Sequence, residues 1–186
     1  MTDLSKFIRT IPDYPKPGIM FKDITPLLGN APVFNAVIEV YANHYKDTSV
    51  DVIAGPEARG FIFASALAYR MGAGFAPIRK KGKLPYDTHQ VTYNLEYGND
   101  TLTIHQDAFP KGSRVLLCDD LLATGGTLAA TIELVQKLGG DIVGKVSVKL
   151  HSLCIVRLSM VSCRRLKLPI NRLLFMVTLS ARLRKT

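Results

Sequence analysis

One segment constrains the fold of this chain more than any other: Val115-Leu-Leu-Cys-Asp119-Asp120-Leu-Leu-Ala123-Thr124-Gly125-Gly126-Thr127. It reads as an apolar strand that delivers two adjacent acids, then a loop of small residues, then a helix from Gly126 to Leu138 closed by Gly139-Gly140. In open α/β sheets, ligands bind outside the carboxyl ends of the strands, which is where such a segment puts its polar groups. Gly125 and Gly126 let backbone N–H groups approach an anion, Thr124 and Thr127 add hydroxyl donors, and the helix dipole favours a phosphate. The acids can accept hydrogen bonds from sugar hydroxyls or hold a hydrated Mg2+. No lysine follows the glycines and no G-x-G-x-x-G is present, so the two commonest nucleotide-loop patterns are excluded. The plain alternative is an ordinary strand-to-helix turn with an acidic cap, and two acids ahead of the loop weigh against it.

The rest of the chain supplies an alternation of strands and helices. Leu4, Phe7, Ile8 and Ile11 fall at helical spacing and predict a short opening helix, broken by Pro12, Pro15 and Pro17. A second helix is predicted over 31–46, capped by Asn30, with Pro32 in its first turn. Val50–Gly55 reads as a buried strand, 60–71 as the helix after it, and Phe75–Arg79 as the next strand. Residues 80–100 are polar and broken by Gly and Pro, so they read as a long functional loop or a flexible hairpin. Thr101–His105, Arg114–Cys118 and Ile142–Val148 complete the strand candidates. Strands alternating with helices predict an α/β class with a mainly parallel sheet flanked by helices.

Charge separates the chain into two parts. Residues 1–144 hold 14 Lys and Arg against all 15 Asp and Glu, whereas residues 145–186 hold the other 10 basic residues and no acid. A net charge of +9 is therefore not a nucleic-acid footprint spread over the chain, and no nucleic-acid or membrane partner is expected. Cys118, Cys154 and Cys163 form no C-x-x-C pair, which argues against a disulfide scaffold or a cysteine zinc site. No stretch has the length of a signal peptide core or a membrane span, so a cytoplasmic protein is expected.

The Asp119-Asp120-Leu-Leu-Ala-Thr-Gly-Gly-Thr127 run resembles the phosphoribosyl-pyrophosphate signature of type I phosphoribosyltransferases, in the version found in adenine phosphoribosyltransferases. Asp13-Tyr-Pro-Lys-Pro-Gly-Ile-Met-Phe-Lys-Asp-Ile-Thr-Pro26 resembles that family's base-binding segment, and Gly55-Pro-Glu57-Ala58-Arg59-Gly60-Phe61 its pyrophosphate loop. Arg79-Lys80-Lys81-Gly82-Lys83-Leu84-Pro85 together with Tyr93-Asn-Leu-Glu96-Tyr97-Gly98 resembles its mobile catalytic loop. The four motifs are co-linear from about residue 7 to residue 144.

The resemblance implies a type I phosphoribosyltransferase fold and a Mg2+-dependent conversion of adenine and 5-phosphoribosyl 1-diphosphate to AMP and diphosphate, in a homodimer. It implies that Ala123, Thr124, Gly125, Gly126 and Thr127 cradle the 5′-phosphate and that Asp119 and Asp120 bind the ribose hydroxyls. Glu57, Ala58 and Arg59 line the pyrophosphate site, with a cis peptide that does not precede proline, and Arg79, Lys80 and Lys83 meet the pyrophosphate, partly across the dimer interface. Glu96 acts near the purine as proton donor or acceptor with Tyr97 beside it, Phe21 stacks on adenine, and the backbone of Met20 and Lys22 reads its edge. Arg59, Glu96 and Tyr97 form the catalytic set. The magnesium ion is carried by the substrate, with no side chain as a direct ligand.

Past residue 148 the resemblance fades. Lys149 stands where the family has a glutamate, and from Cys154 the chain is Leu-, Arg- and Ser-rich with no sustained period. The expectation is a transferase domain over 1–148 and an atypical basic tail over 149–186, read as the product of a frameshift near codon 149. Three other classes stand beside the enzyme reading: a transferase for another base or one impaired by its tail, a binding protein that keeps the phosphoribosyl site without turnover, and a nucleic-acid binder working through residues 145–186.

Overall fold

The structure, a computed structural model, describes residues 4–94, 99–121, 126–149 and 152–157. A seven-stranded sheet forms its centre. Its strands are β3 (Val52–Pro56), β4 (Gly74–Lys80), β5 (Thr88–Asn94), β6 (Asn99–His105), β7 (Arg114–Leu121), β8 (Asp141–Lys149) and β9 (Ser152–Arg157), in the order β5-β6-β4-β3-β7-β8-β9. The pairs β4–β3, β3–β7 and β7–β8 are parallel, while β6, β5 and β9 attach antiparallel at the two sides. A small separate sheet joins β1 (Arg9–Ile11) to β2 (Phe21–Asp23).

Both faces of the parallel strands are buried, as an α/β sheet requires. Ile53, Leu116 and Val146 face one core with Val37 and Tyr41 of α2 (Ala31–His44) and Phe63 and Leu67 of α3 (Arg59–Met71). Their strand neighbours Ala54 and Leu117 face the other, with Ala130 and Leu134 of α4 (Gly126–Lys137) and Val91 and Leu102 of the β5–β6 hairpin. The remaining helix, α1 (Thr25–Leu28), is a single turn that leads into α2, whose first turn is capped by Asn30 Oδ1 accepting from the Val33 N–H at 3.2 Å.

The chain steps from β3 through α3 to β4 on one side, then returns to β7 on the other side of β3 and continues to β8. The strand order therefore reverses between β3 and β7, whose carboxyl ends lie side by side in the register Ala54↔Leu117. That reversal opens a crevice above the sheet.

One expectation needs correction. The opening helix is one 3-10 turn over Leu4–Phe7, and Arg9–Ile11 instead pair with Phe21–Asp23. Pro12 bars a helix from passing residue 11, and β2 offers the backbone partners that helical bonds would have supplied. Of the two readings of the polar stretch 80–100, the hairpin is the one observed: Thr88–Asn94 pair antiparallel with Asn99–His105, and Val91 turns into the core with Leu102.

Gly144 of β8 lies under Tyr45, a fully buried ring just past α2, and a Cβ there would overlap the phenol oxygen and ring. Gly144→Ala should cost about 1–3 kcal/mol of stability, read as a lower midpoint in urea unfolding. An unchanged midpoint would show that the ring and strand can separate freely.

Candidate active site

The crevice is built from three pieces of backbone that meet at Arg59. The turn after β3 holds a cis peptide between Glu57 and Ala58, a bond the family resemblance implies, and the Glu57 N–H donates to the Ile78 carbonyl at 2.8 Å. The turn lies close against β7. A Cβ on Gly60 would stand 3.0 Å from the Pro56 ring and 3.1 Å from Asp119 Oδ1, so glycine lets α3 begin this near the acid without either neighbour giving way.

From this turn Arg59 reaches both ways. Its Nε lies 2.7 Å from Asp120 Oδ2 as an ion pair, and its Nη1 donates to the Lys22 carbonyl at 3.0 Å. Its guanidinium carbon lies 5.2 Å from the centroid of the Phe21 ring, within cation–π range. Phe21 in turn meets Tyr14 edge-on at 5.0 Å, and Met20 is 57% exposed beside it. One planar cation thus ties the β2 segment to the acid pair on β7. Lys22 turns its ammonium away to Thr10 Oγ1 at 2.7 Å, so its carbonyl and not its charge faces Arg59.

A second group of charges surrounds Glu57. Arg79 Nε donates to Glu57 Oε2 at 2.6 Å, the Lys80 N–H donates to Oε1 at 3.2 Å, and Arg79 Nη1 donates to the Lys83 carbonyl at 3.1 Å. Lys80 Nζ lies 3.0 Å from Asp100 Oδ2 on β6. Burial acts to raise Glu57, but the Arg79 hydrogen bond and the Lys80 N–H outweigh it and hold the carboxyl below its usual range. Glu57 therefore stays anionic and fixes Arg79 at the crevice mouth. The bond from Asp100 holds Lys80 above the usual lysine range, so that ammonium stays charged.

Asp119 and Asp120 end the apolar run of β7, and Asp120 is 6% exposed. The Asp120 N–H donates to Asp119 Oδ1 at 2.8 Å. Burial, then the neighbouring Asp120 carboxylate, pushes the Asp119 carboxyl up to about 7, with Lys145 pulling the other way. Burial, reinforced by both acids, also pushes the Cys118 thiol up, which leaves it a protonated core group and no nucleophile.

The structure thus brings together Phe21, Lys22, Glu57, Ala58, Arg59, Arg79, Lys80, Lys83, Asp119 and Asp120 around one crevice. Gly126 and Thr127 open α4, where Thr127 Oγ1 lies 3.5 Å from the Tyr93 hydroxyl of the hairpin. Ala123, Thr124 and Gly125, like Glu96 and Tyr97, lie outside the described residues. Two residues absent from the sequence reading belong to the crevice. Asp100 carried no signal, since a lone acid after Gly98-Asn99 reads as a turn. Lys145 could have been noticed as the single charge inside the Ile142–Val148 run.

The open, mainly parallel sheet sets paired acids and a clasped arginine at its switch point, and the Phosphoribosyl transferase domain family, a class that transfers phosphoribosyl groups, matches residues 24–158. The adenine phosphoribosyltransferase of Symbiobacterium thermophilum is 57% identical over 142 residues, covering 76% of this chain and 84% of its own length. The crystal structure of adenine phosphoribosyltransferase from Thermoanaerobacter pseudethanolicus aligns with TM-score 0.75 and 53% identity, over 77% of this chain and 84% of that one. The Saccharomyces cerevisiae enzyme, solved with an imino-altritol bisphosphate and adenine, aligns with TM-score 0.74 and 38% identity, over 78% of this chain and 85% of its own. The chain belongs to the phosphoribosyltransferase family and, within it, to the adenine phosphoribosyltransferases. Among the described residues no helix is long and apolar enough to cross a membrane.

Asp119 holds its proton more tightly in the folded chain than at its ordinary value of 3.8. The stability tied to that proton is complete below about pH 4 and is lost as the pH rises to about 7. Melting temperatures of the wild-type chain should therefore fall relative to those of Asp119→Asn between about pH 4 and about pH 7. Parallel curves for the two proteins would contradict the raised affinity.

Proposed function

We propose that this chain transfers the 5-phosphoribosyl group from its 1-diphosphate to adenine, releasing AMP and diphosphate, as a cytoplasmic homodimer of purine salvage. The observation that carries the reading is Arg59, which joins an aromatic, backbone-rich surface at Phe21 and Lys22 to the acid pair at Asp119 and Asp120. A flat base and a sugar must be held at bonding distance, and a single clasp between their two half-sites does that. The transferase domain of this reading is residues 1–148, with 149–186 as an atypical basic tail.

In this reading the bond from C1′ to the diphosphate oxygen breaks, leaving positive charge on the ribose and negative charge on the leaving group. The adenine N9 forms the new bond to C1′ and its proton passes to a base. Arg79, Lys80 and Lys83 stabilise the developing diphosphate charge, with Glu57 holding the first two in place. Asp119 and Asp120 accept hydrogen bonds from the 2′- and 3′-hydroxyls, and Ala123 to Thr127 cradle the 5′-phosphate at the start of α4. Phe21 stacks on the base, the Met20 and Lys22 backbone reads its edge, and Glu96 with Tyr97 handles the purine proton. The Asp119 and Asp120 carboxylates are hard oxygen donors that would face the hydration shell of a Mg2+ ion arriving with the substrate, and the ion would further neutralise the leaving group.

The test is AMP formation by the purified chain with Mg2+, against hypoxanthine, guanine and orotate as competing bases. Adenine should be the preferred base, and Asp119→Ala should lower kcat/KM by about 100-fold or more through the lost sugar contacts. Equal use of hypoxanthine, or full activity in Asp119→Ala, would overturn the assignment.

A further inference from the structure

The interior of β8 carries one charge. Lys145 is 5% exposed, and it is the only buried cation among the described residues. It pairs in parallel register with Leu117 of β7, two positions before Asp119 on the same side of the sheet. A lysine stem of four carbons is long enough to span about that two-residue rise. Lys145 and Asp119 line one small cleft with Pro56, Leu117, Cys118, Leu128 and Thr131, and no other member of that lining carries a charge.

Three strands and two helices bring groups to this cleft and its two acids. Asp119 and its neighbour Asp120 come from β7, Leu128 and Thr131 from α4, and Pro56 from β3. Thr131 gives its hydroxyl hydrogen to the Thr127 carbonyl at 2.8 Å. From α3, Arg59 takes Asp120. An ammonium held among apolar groups without an anion loses its charge or destabilises the fold, and so does a carboxylate pair with a single counter-charge. Lys145 and Asp119 are the two charges of this cleft, and the lysine charge pulls the Asp119 carboxyl down against burial.

We propose that Lys145 is a positioning residue of the phosphoribosyl site. It is the counter-charge, supplied from inside the sheet, that lets two adjacent carboxylates end β7 together and face the sugar hydroxyls. Arg59 supports Asp120 from the crevice side and Lys145 supports Asp119 from beneath. This rests on the assignment of the acid pair to the ribose.

The test uses the full chain with Lys145→Met, Asp119→Asn and the double variant, since methionine keeps the stem and removes the charge. Thermal melting should show a clear loss for Lys145→Met, most of it regained in the double variant, because neutralising both partners removes the unpaired charge. Losses that simply add would overturn the pairing. Should Lys145→Met fail to fold, a folded double variant supports the proposal and an unfolded one refutes it. In turnover, Lys145→Met should raise KM for the sugar diphosphate about tenfold near neutral pH, the equivalent of one unit of carboxyl affinity. The defect should shrink toward about pH 9 as hydroxide ionises the carboxyl, with KM for adenine within about twofold of wild type. A KM for the sugar diphosphate unmoved at every pH would show that Lys145 only fills space. If the wild-type chain made no AMP, the functional assignment would fail while the melting cycle still decided the charge pairing.

Discussion

The guanidinium of Arg59 is the interaction on which the site depends. It touches an acid on the central sheet, a carbonyl on the small sheet and an aromatic face between them. Each contact uses a different property of the group: charge toward Asp120, N–H direction toward Lys22, and a flat weakly hydrated face toward Phe21. A lysine offers only the first of these. The two-stranded sheet has no strand pairing with the main sheet, so this clasp and the buried Leu4, Ile8 and Ile24 seat it.

The rest of the crevice follows from a charge problem at the strand ends. Parallel strands carry their polar termini to one edge, and β7 ends in two carboxylates that repel each other. Arg59 from the start of α3 takes Asp120, and Lys145 from within β8 shares a cleft with Asp119. Glu57 sits in the complementary situation, an acid surrounded by Arg79 and the Lys80 backbone. Breaking one partner of such a set leaves an uncompensated buried charge, which costs more than the intact pair contributes.

The parts of this arrangement carried by local chemistry were legible in the sequence. Val115 to Asp120 is a strand because its apolar run is short and bounded, and α2 starts at Asn30-Ala-Pro because cap and proline mark a first turn. The pyrophosphate turn and the base segment were legible only through resemblance, since Glu57, Arg59 and Phe21 taken singly look like any surface acid, cation or core ring. Tertiary partners decided the remainder. Arg9–Ile11 have helical spacing yet form a strand because β2 lies opposite, with Arg9 and Asp23 paired in register and linked by an ion pair at 3.4 Å. Ser152–Arg157 gave no periodic signal and still join the sheet, since an outer strand needs only backbone from its neighbour β8. Lys145 went unread because a charge in a strand looks like a solvent-facing residue until the sheet shows which side it occupies.

The most direct measurement is steady-state kinetics of Arg59→Met with adenine and the sugar diphosphate varied separately. If one guanidinium joins the two half-sites, KM should rise for both substrates and kcat should fall, by a combined factor of about 1000 or more in catalytic efficiency. A variant impaired toward only one substrate, with kcat intact, would show that the two half-sites are assembled independently of Arg59.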